Sequence, residues 1–183
     1  MMPVVALIVL IVLGWAVFSY NRLVRLRNQV QTAWADIDVQ LKRRHDLVPQ
    51  LVSAVQGYAG HERGVLTAVT ELRAQAVALT SPAKLGPVES SLEKSLTQLF
   101  ALKEAYPDLK ANETFLQLQR DLVQVEDNVQ YARRFYNGAV RDFNTSTQRF
   151  PDMLIAHSGG FTEREFFSAD EEDRPAVKVD LQS

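Results

Sequence analysis

The first twenty residues carry no charged side chain, and a helical apolar rhythm then runs from Leu23 to Tyr58. At about 1.5 Å per residue the first stretch extends roughly 27 to 30 Å, close to the hydrocarbon thickness of a bilayer. The pattern predicts a transmembrane helix over residues 1–20 that meets the lipid through residues 3–20. Beyond it, Leu23, Leu26, Val30, Ala33, Trp34, Ile37, Leu41, Val48, Leu51, Val52, Val55 and Tyr58 recur at steps of three and four. Such a seam belongs to a packed helix and favours shallow, coiled-coil-like crossing. It passes through Arg44 and His45, after which Pro49 removes the N–H that would bond to the His45 carbonyl. A kink or break is expected there, with Asp46 capping a second helix.

Gly57, Gly60 and Gly64 loosen the chain around His61 and Glu62, and Leu66, Val69, Leu72, Ala76 and Leu79 mark a helix ending near Thr80. Ser81 to Pro87, with two prolines and a glycine, reads as an internal loop. Leu92, Leu96, Leu99 and Leu102 form a helix stopped by Pro107. Asn112 is placed to cap the longest soluble helix, whose face carries Phe115, Leu118, Leu122, Val125, Val129, Ala132, Tyr136, Ala139 and Phe143. Pro151 ends that run, and Gly159 and Gly160 make a turn. Thr162 and Glu165 have capping-box spacing, which predicts a short helical turn carrying Phe166 and Phe167. With Phe161, these aromatics either fold back onto the helices or present a docking surface, and folding back is the expectation. Residues 169–183 are charged and poor in apolar side chains, as in a disordered acidic tail.

Charge adds direction to this picture. The net charge of −2 argues against a nucleic-acid partner, since phosphate neutralisation needs a surplus of Lys and Arg on one face. Residues 21–45 are locally basic, whereas Glu163 to Asp173 is mostly acidic. Met1 to Pro3 lacks the positive start of a secretory signal, and no Ala-x-Ala precedes Tyr20, so a retained anchor is expected. Arg22, Arg25 and Arg27 follow the span and no Lys or Arg precedes it, which points the soluble domain to the cytoplasm and the N-terminus outside. Cysteine is absent, which removes disulfides, thiol nucleophiles and thiolate metal sites together.

Chemistry is hard to find. Glu-x-x-His, His-Glu-x-x-His, Gly-x-Ser-x-Gly and glycine-rich phosphate loops are missing. Asp36 and Asp38 lie two apart, so on a helix they point about 200° from one another and do not share a substrate. No catalytic, cofactor-binding or metal-ligating residue is assigned; a site at the Pro49 kink using His45, Asp46 and His61 is the enzymatic alternative. Asp36, Asp38, Arg43, Arg44, His61 and Glu62 form the candidate interaction surface. A second polar set repeats every seven residues: Asn21 with Asn28, Gln130 with Asn137 and Asn144, and Glu126 with Arg133. On facing flanks these would make a buried ladder that fixes helix register, with Glu126 and Arg133 as its ion pair.

The residues also resemble a family. Tyr20-Asn21-Arg22-Leu23-Val24, Ala33-Trp34-Ala35-Asp36-Ile37-Asp38 through Arg44, and Asp46-Leu47-Val48-Pro49-Gln50-Leu51-Val52 are similar to the opening block of LemA-family proteins. Gly57-Tyr58-Ala59, Tyr106-Pro107-Asp108-Leu109-Lys110-Ala111-Asn112, Ala132-Arg133-Arg134-Phe135-Tyr136-Asn137 and Phe150-Pro151 resemble its later blocks. His45 and Phe143 stand where the family usually shows Tyr. The resemblance implies an all-α protein, an N-terminal transmembrane helix followed by a long antiparallel four-helix bundle over residues 21–168, in the bacterial inner membrane and without enzymatic activity. It suggests a scaffold or protein-interaction module, or alternatively an accessory subunit of a membrane protease or a membrane-shaping homo-oligomer. Membrane proteases of the HtpX type and TPM-domain proteins are the partners it implies.

Overall fold

The computed structural model describes residues 2–168; the expected acidic tail lies outside them. Six α-helices are described: α1 (Met2–Ala59), α2 (Arg63–Ala78), α3 (Pro82–Ala101), α4 (Pro107–Lys110), α5 (Glu113–Gln148) and α6 (Asp152–Ser158), with a 3₁₀ turn at Leu102–Glu104. Among the described residues there is no strand, and the chain is all-α. It divides into two compact units. One holds residues 2–41 with Asp127–Phe166; the other holds Lys42–Glu126 with Phe167 and Ser168.

Helix α1 is unbroken, contrary to the kink or break expected at Pro49, and Asp46 caps nothing because it lies inside the helix. A proline within a helix orphans the carbonyl four residues earlier. Here that carbonyl, on His45, accepts a hydrogen bond from Arg73 Nε of α2 at 3.2 Å. Val48, Leu51 and Val55, all buried on the same seam, hold the helix to its neighbours across the proline. A tertiary donor and core packing thus offset a local defect.

In the first unit, α1 and α5 run antiparallel: Gln40 meets Asn128, Trp34 stacks on Tyr136 with ring centroids 5.3 Å apart, and Ser19 meets Asp152 just beyond α5. Leu23, Val30, Ala33 and Ile37 of α1 are buried there, with Val129, Tyr136, Ala139, Val140 and Phe143 of α5. The chain then turns back at Gly160, whose φ of 67° lies in the left-handed region that a Cβ disfavours. Phe161 follows, buried, with its ring edge-on to Tyr20 and Phe143 and under the Arg27 guanidinium, 5.4 Å from the centroid.

The second unit has its own apolar core. Val48, Leu51, Val55 and Ala59 of α1, Leu66 and Val69 of α2, Leu92, Leu96 and Leu99 of α3, Leu109 of α4, and Phe115, Leu118 and Leu122 of α5 form one cluster. The Asn112 cap is present: its Oδ1 accepts the Phe115 N–H at 2.8 Å, which starts α5 and sets Phe115 into the core. Ser81 to Pro87 is not a loop. Pro82 occupies the first turn of α3, where its missing N–H has no helical acceptor anyway, so the connection shortens to the residues between Ala78 and Pro82. Gly86 is buried in α3 because the backbone of Ser168 lies where a Cβ would project.

Candidate functional site

The polar groups best suited to chemistry converge on one turn of α1, in the second unit. Arg44 and His45 sit where the apolar seam runs from Leu41 to Val48, so both are buried. Glu89 occupies the corresponding place on α3, between Leu85 and Leu92, and is also buried. Its carboxylate accepts from both residues, 2.8 Å from Arg44 Nη1 and 2.7 Å from His45 Nε2. A carboxylate in this contact only accepts, so the imidazole donates from Nε2. Arg44 also pairs through Nη2 with Glu126 of α5. With Arg73 on the His45 carbonyl, side chains of α2, α3 and α5 all meet this single turn.

This cluster corrects two expectations. Arg44 is no part of an exposed interaction surface, being 2 % exposed and doubly paired with acids. Glu126 gives its carboxylate to Arg44, where the sevenfold spacing had suggested Arg133. Helix-internal spacing places residues on a common flank, but Arg44 reaches Glu126 from the facing helix as a charged partner at the buried seam. The remaining interaction candidates divide by exposure. Asp36, Asp38, Arg43 and His61 are exposed, while Glu62 is half-buried and accepts a hydrogen bond from the Tyr106 hydroxyl at 3.1 Å. That bond holds the Tyr106 phenol above its ordinary pKa.

Asp36 and Val39 of the first unit share one flank of α1 and are exposed, as are Arg43 and Asp46 of the second unit. His45, Asp46 and His61 do not assemble into a site. Fourteen residues of helix separate His45 from the end of α1, about 21 Å at about 1.5 Å per residue. Among the described residues, no group of three or more His, Cys, Asp or Glu side chains is placed to hold a metal ion.

The buried polar ladder takes a different form from the one its spacing suggested. Asn21 and Asn28 are exposed, and Arg133 and Asn137 are half-buried. Asn144 is buried, but its partner is backbone. Its Nδ2 donates to the Arg164 carbonyl and its Oδ1 accepts the Arg164 N–H, both at 2.9 Å. About two turns earlier on α5, the Tyr136 hydroxyl donates to the Glu165 carbonyl at 2.8 Å. Burial chiefly, then the charge of Glu165, raises the Tyr136 pKa. Side chains of α5 thus take the backbone groups of residues 164 and 165, and the short helix expected after Thr162 does not form. Phe161 and Phe167 fold back and are buried, whereas Phe166 is 42 % exposed.

At the other end of the first unit, the apolar start of α1 is left bare. Val4 through Leu13, with Val17 and Phe18, present exposed apolar side chains on every side of the helix, which is long and apolar enough to cross a membrane. Trp15 and Ala16 are half-buried, and Ser19, 1 % exposed, donates to Asp152 Oδ1 at 2.6 Å; Arg22 Nη1 lies 3.2 Å from the other oxygen. Asp152, Glu89 and Arg73 were not singled out by sequence. Glu89 left a signal, a charged residue in the seam of Leu85, Leu92, Leu96 and Leu99; the pairing of Ser19 with a residue 133 positions away left none.

Known proteins resemble this chain along most of its length. The chain is 25% identical over 209 residues to Magnetosome protein MamQ 2 of Paramagnetospirillum magneticum, covering 95% of this chain and 74% of the relative. It is 29% identical over 161 residues to Protein LemA of Metamycoplasma hominis, covering 86% and 72%. Magnetosome protein MamQ of Magnetospirillum gryphiswaldense is 22% identical over 177 residues, covering 81% and 64%. These names specify no reaction. Residues 33–181 match the LemA family, and the chain belongs to it.

Proposed function

We propose that this protein is a membrane-anchored helical scaffold that binds other proteins at the bacterial inner membrane and performs no catalysis. The observation that carries this reading is the continuity of α1. Its exposed apolar start passes at Ser19 into a buried seam with no break in the helix, so force or position imposed at the membrane is transmitted to the packed part. The charged groups that might have done chemistry are consumed in internal pairing around Glu89. Arg22, Arg25 and Arg27, directly after the apolar stretch, favour a cytoplasmic body.

The partner surface lies on the first unit, where exposed Asp36 and Val39 set a charge beside an apolar side chain on one flank of α1. Photo-crosslinking amino acids at positions 36 and 39 in living cells, followed by mass spectrometry, test it. The expected result is the same one or few membrane proteins captured from both positions. Capture from neither of them, with equal capture from the opposite, buried-side flank, contradicts the reading. Capture of the chain by itself alone would favour a homo-oligomer.

A further inference from the structure

Large apolar side chains exposed outside the anchor are mostly scattered, but three fall within five residues. Phe150 is 74 % exposed, Met153 44 % and Leu154 55 %. Their place in the first unit is fixed by Asp152, which is buried between them and bonded to Ser19 and Arg22. Ser19 lies between Phe18, 68 % exposed, and Tyr20, 47 % exposed, at the end of the anchor run. Helix α6 buries Asp152 and Ala156 against the unit, so Met153 and Leu154 lie on its outer face. The patch therefore sits at the level where the bare apolar helix ends, continuous with it.

The charges at this level are mostly basic, with Glu163 held by Gln148 at the end of α5. Arg149, Arg22 and Arg25 are exposed, and the Asp152 carboxylate is occupied by Ser19 and Arg22. Apolar side chains that project beside arginines at a membrane exit match the acyl boundary and anionic headgroups of a lipid surface. Resting on the anchor reading above, we propose that Phe150, Met153 and Leu154 form a second contact with the bilayer, dipping into its interface beside the transmembrane segment. Such a contact sets the tilt and rotation of the anchor, which a lone apolar helix leaves open.

The absence of cysteine makes the test direct. Leu154→Cys, Leu10→Cys and Tyr131→Cys in the full chain each receive an environment-sensitive fluorophore, and each protein is reconstituted in vesicles of phosphatidylcholine and phosphatidylglycerol, with and without brominated acyl chains. Tyr131 is exposed on α5 and lies seventeen residues before its end at Gln148, about 25 Å at about 1.5 Å per residue. The expected result is blue-shifted emission lost to bromine at positions 10 and 154, and none lost at 131. Quenching at 10 without quenching at 154 overturns this contact and leaves the anchor standing; no quenching at 10 overturns the anchor and the contact with it. Quenching at 131 as strong as at 154, or a blue shift at 154 that bromine does not quench and that grows with protein density, also overturns it, the latter in favour of a second copy.

Discussion

Arg73 Nε lies 3.2 Å from the carbonyl oxygen of His45, the acceptor that Pro49 deprives of its helical donor. Arg73→Met keeps the aliphatic stem and leaves that carbonyl unpaired, at an expected cost of about 1–3 kcal/mol. In a Pro49→Ala background the helix supplies its own N–H, so the same substitution costs less. Denaturant unfolding of the detergent-solubilised protein measures both, and equal costs in the two backgrounds would contradict the assignment.

Glu89 balances Arg44 and His45 inside the second unit. Glu89→Ala leaves Arg44 with Glu126 alone and strands the buried His45 Nε2 group, so it is expected to lower stability by about 1–3 kcal/mol. Glu89→Gln keeps an acceptor for Arg44 and loses less. A thermal unfolding series in which the two variants match the parent protein would show that the cluster contributes nothing.

Asp152 joins α6 to α1 through Ser19 and Arg22. Asp152→Ala strands a buried hydroxyl and is expected to cost about 1–3 kcal/mol, while Asp152→Asn keeps the acceptor for Ser19. Hydrogen exchange read by mass spectrometry should speed up in residues 152–158 for the alanine variant first. Unchanged exchange there would mean that packing alone holds the helix.

The return segment depends on α5. Burial holds the Tyr136 phenol above its ordinary pKa of about 10, and its neutral form donates to the Glu165 carbonyl. The sign follows: this contribution is whole below the ordinary value and is lost as pH rises through the raised one. Melting temperature should therefore fall on the alkaline side, and Tyr136→Phe should flatten that fall. An alkaline limb identical in both proteins would exclude Tyr136 as its source.

Much of this was legible in the sequence, for identifiable reasons. The seam from Leu23 to Val55, the Asn112 cap and the turn at Gly160 are local patterns, and each appears as its pattern implied. The misreadings share a cause. At Pro49, Pro82 and Thr162 a local rule was right about the backbone, but Arg73, the first turn of α3, and Asn144 with Tyr136 decided the outcome. Arg44 shows the converse, since its seam position already implied burial while its charge suggested a surface. The Ser19 and Asp152 pair has no local signature at all, because nothing near either residue announces a partner 133 positions away.

The central claim is that an intact apolar segment holds this helical protein in the membrane. Alkaline carbonate extraction of cell membranes, followed by intact-mass measurement, tests it most directly. The account predicts a protein that stays in the pellet with residues 2–20 still attached. A soluble protein trimmed ahead of Asn21 would contradict it.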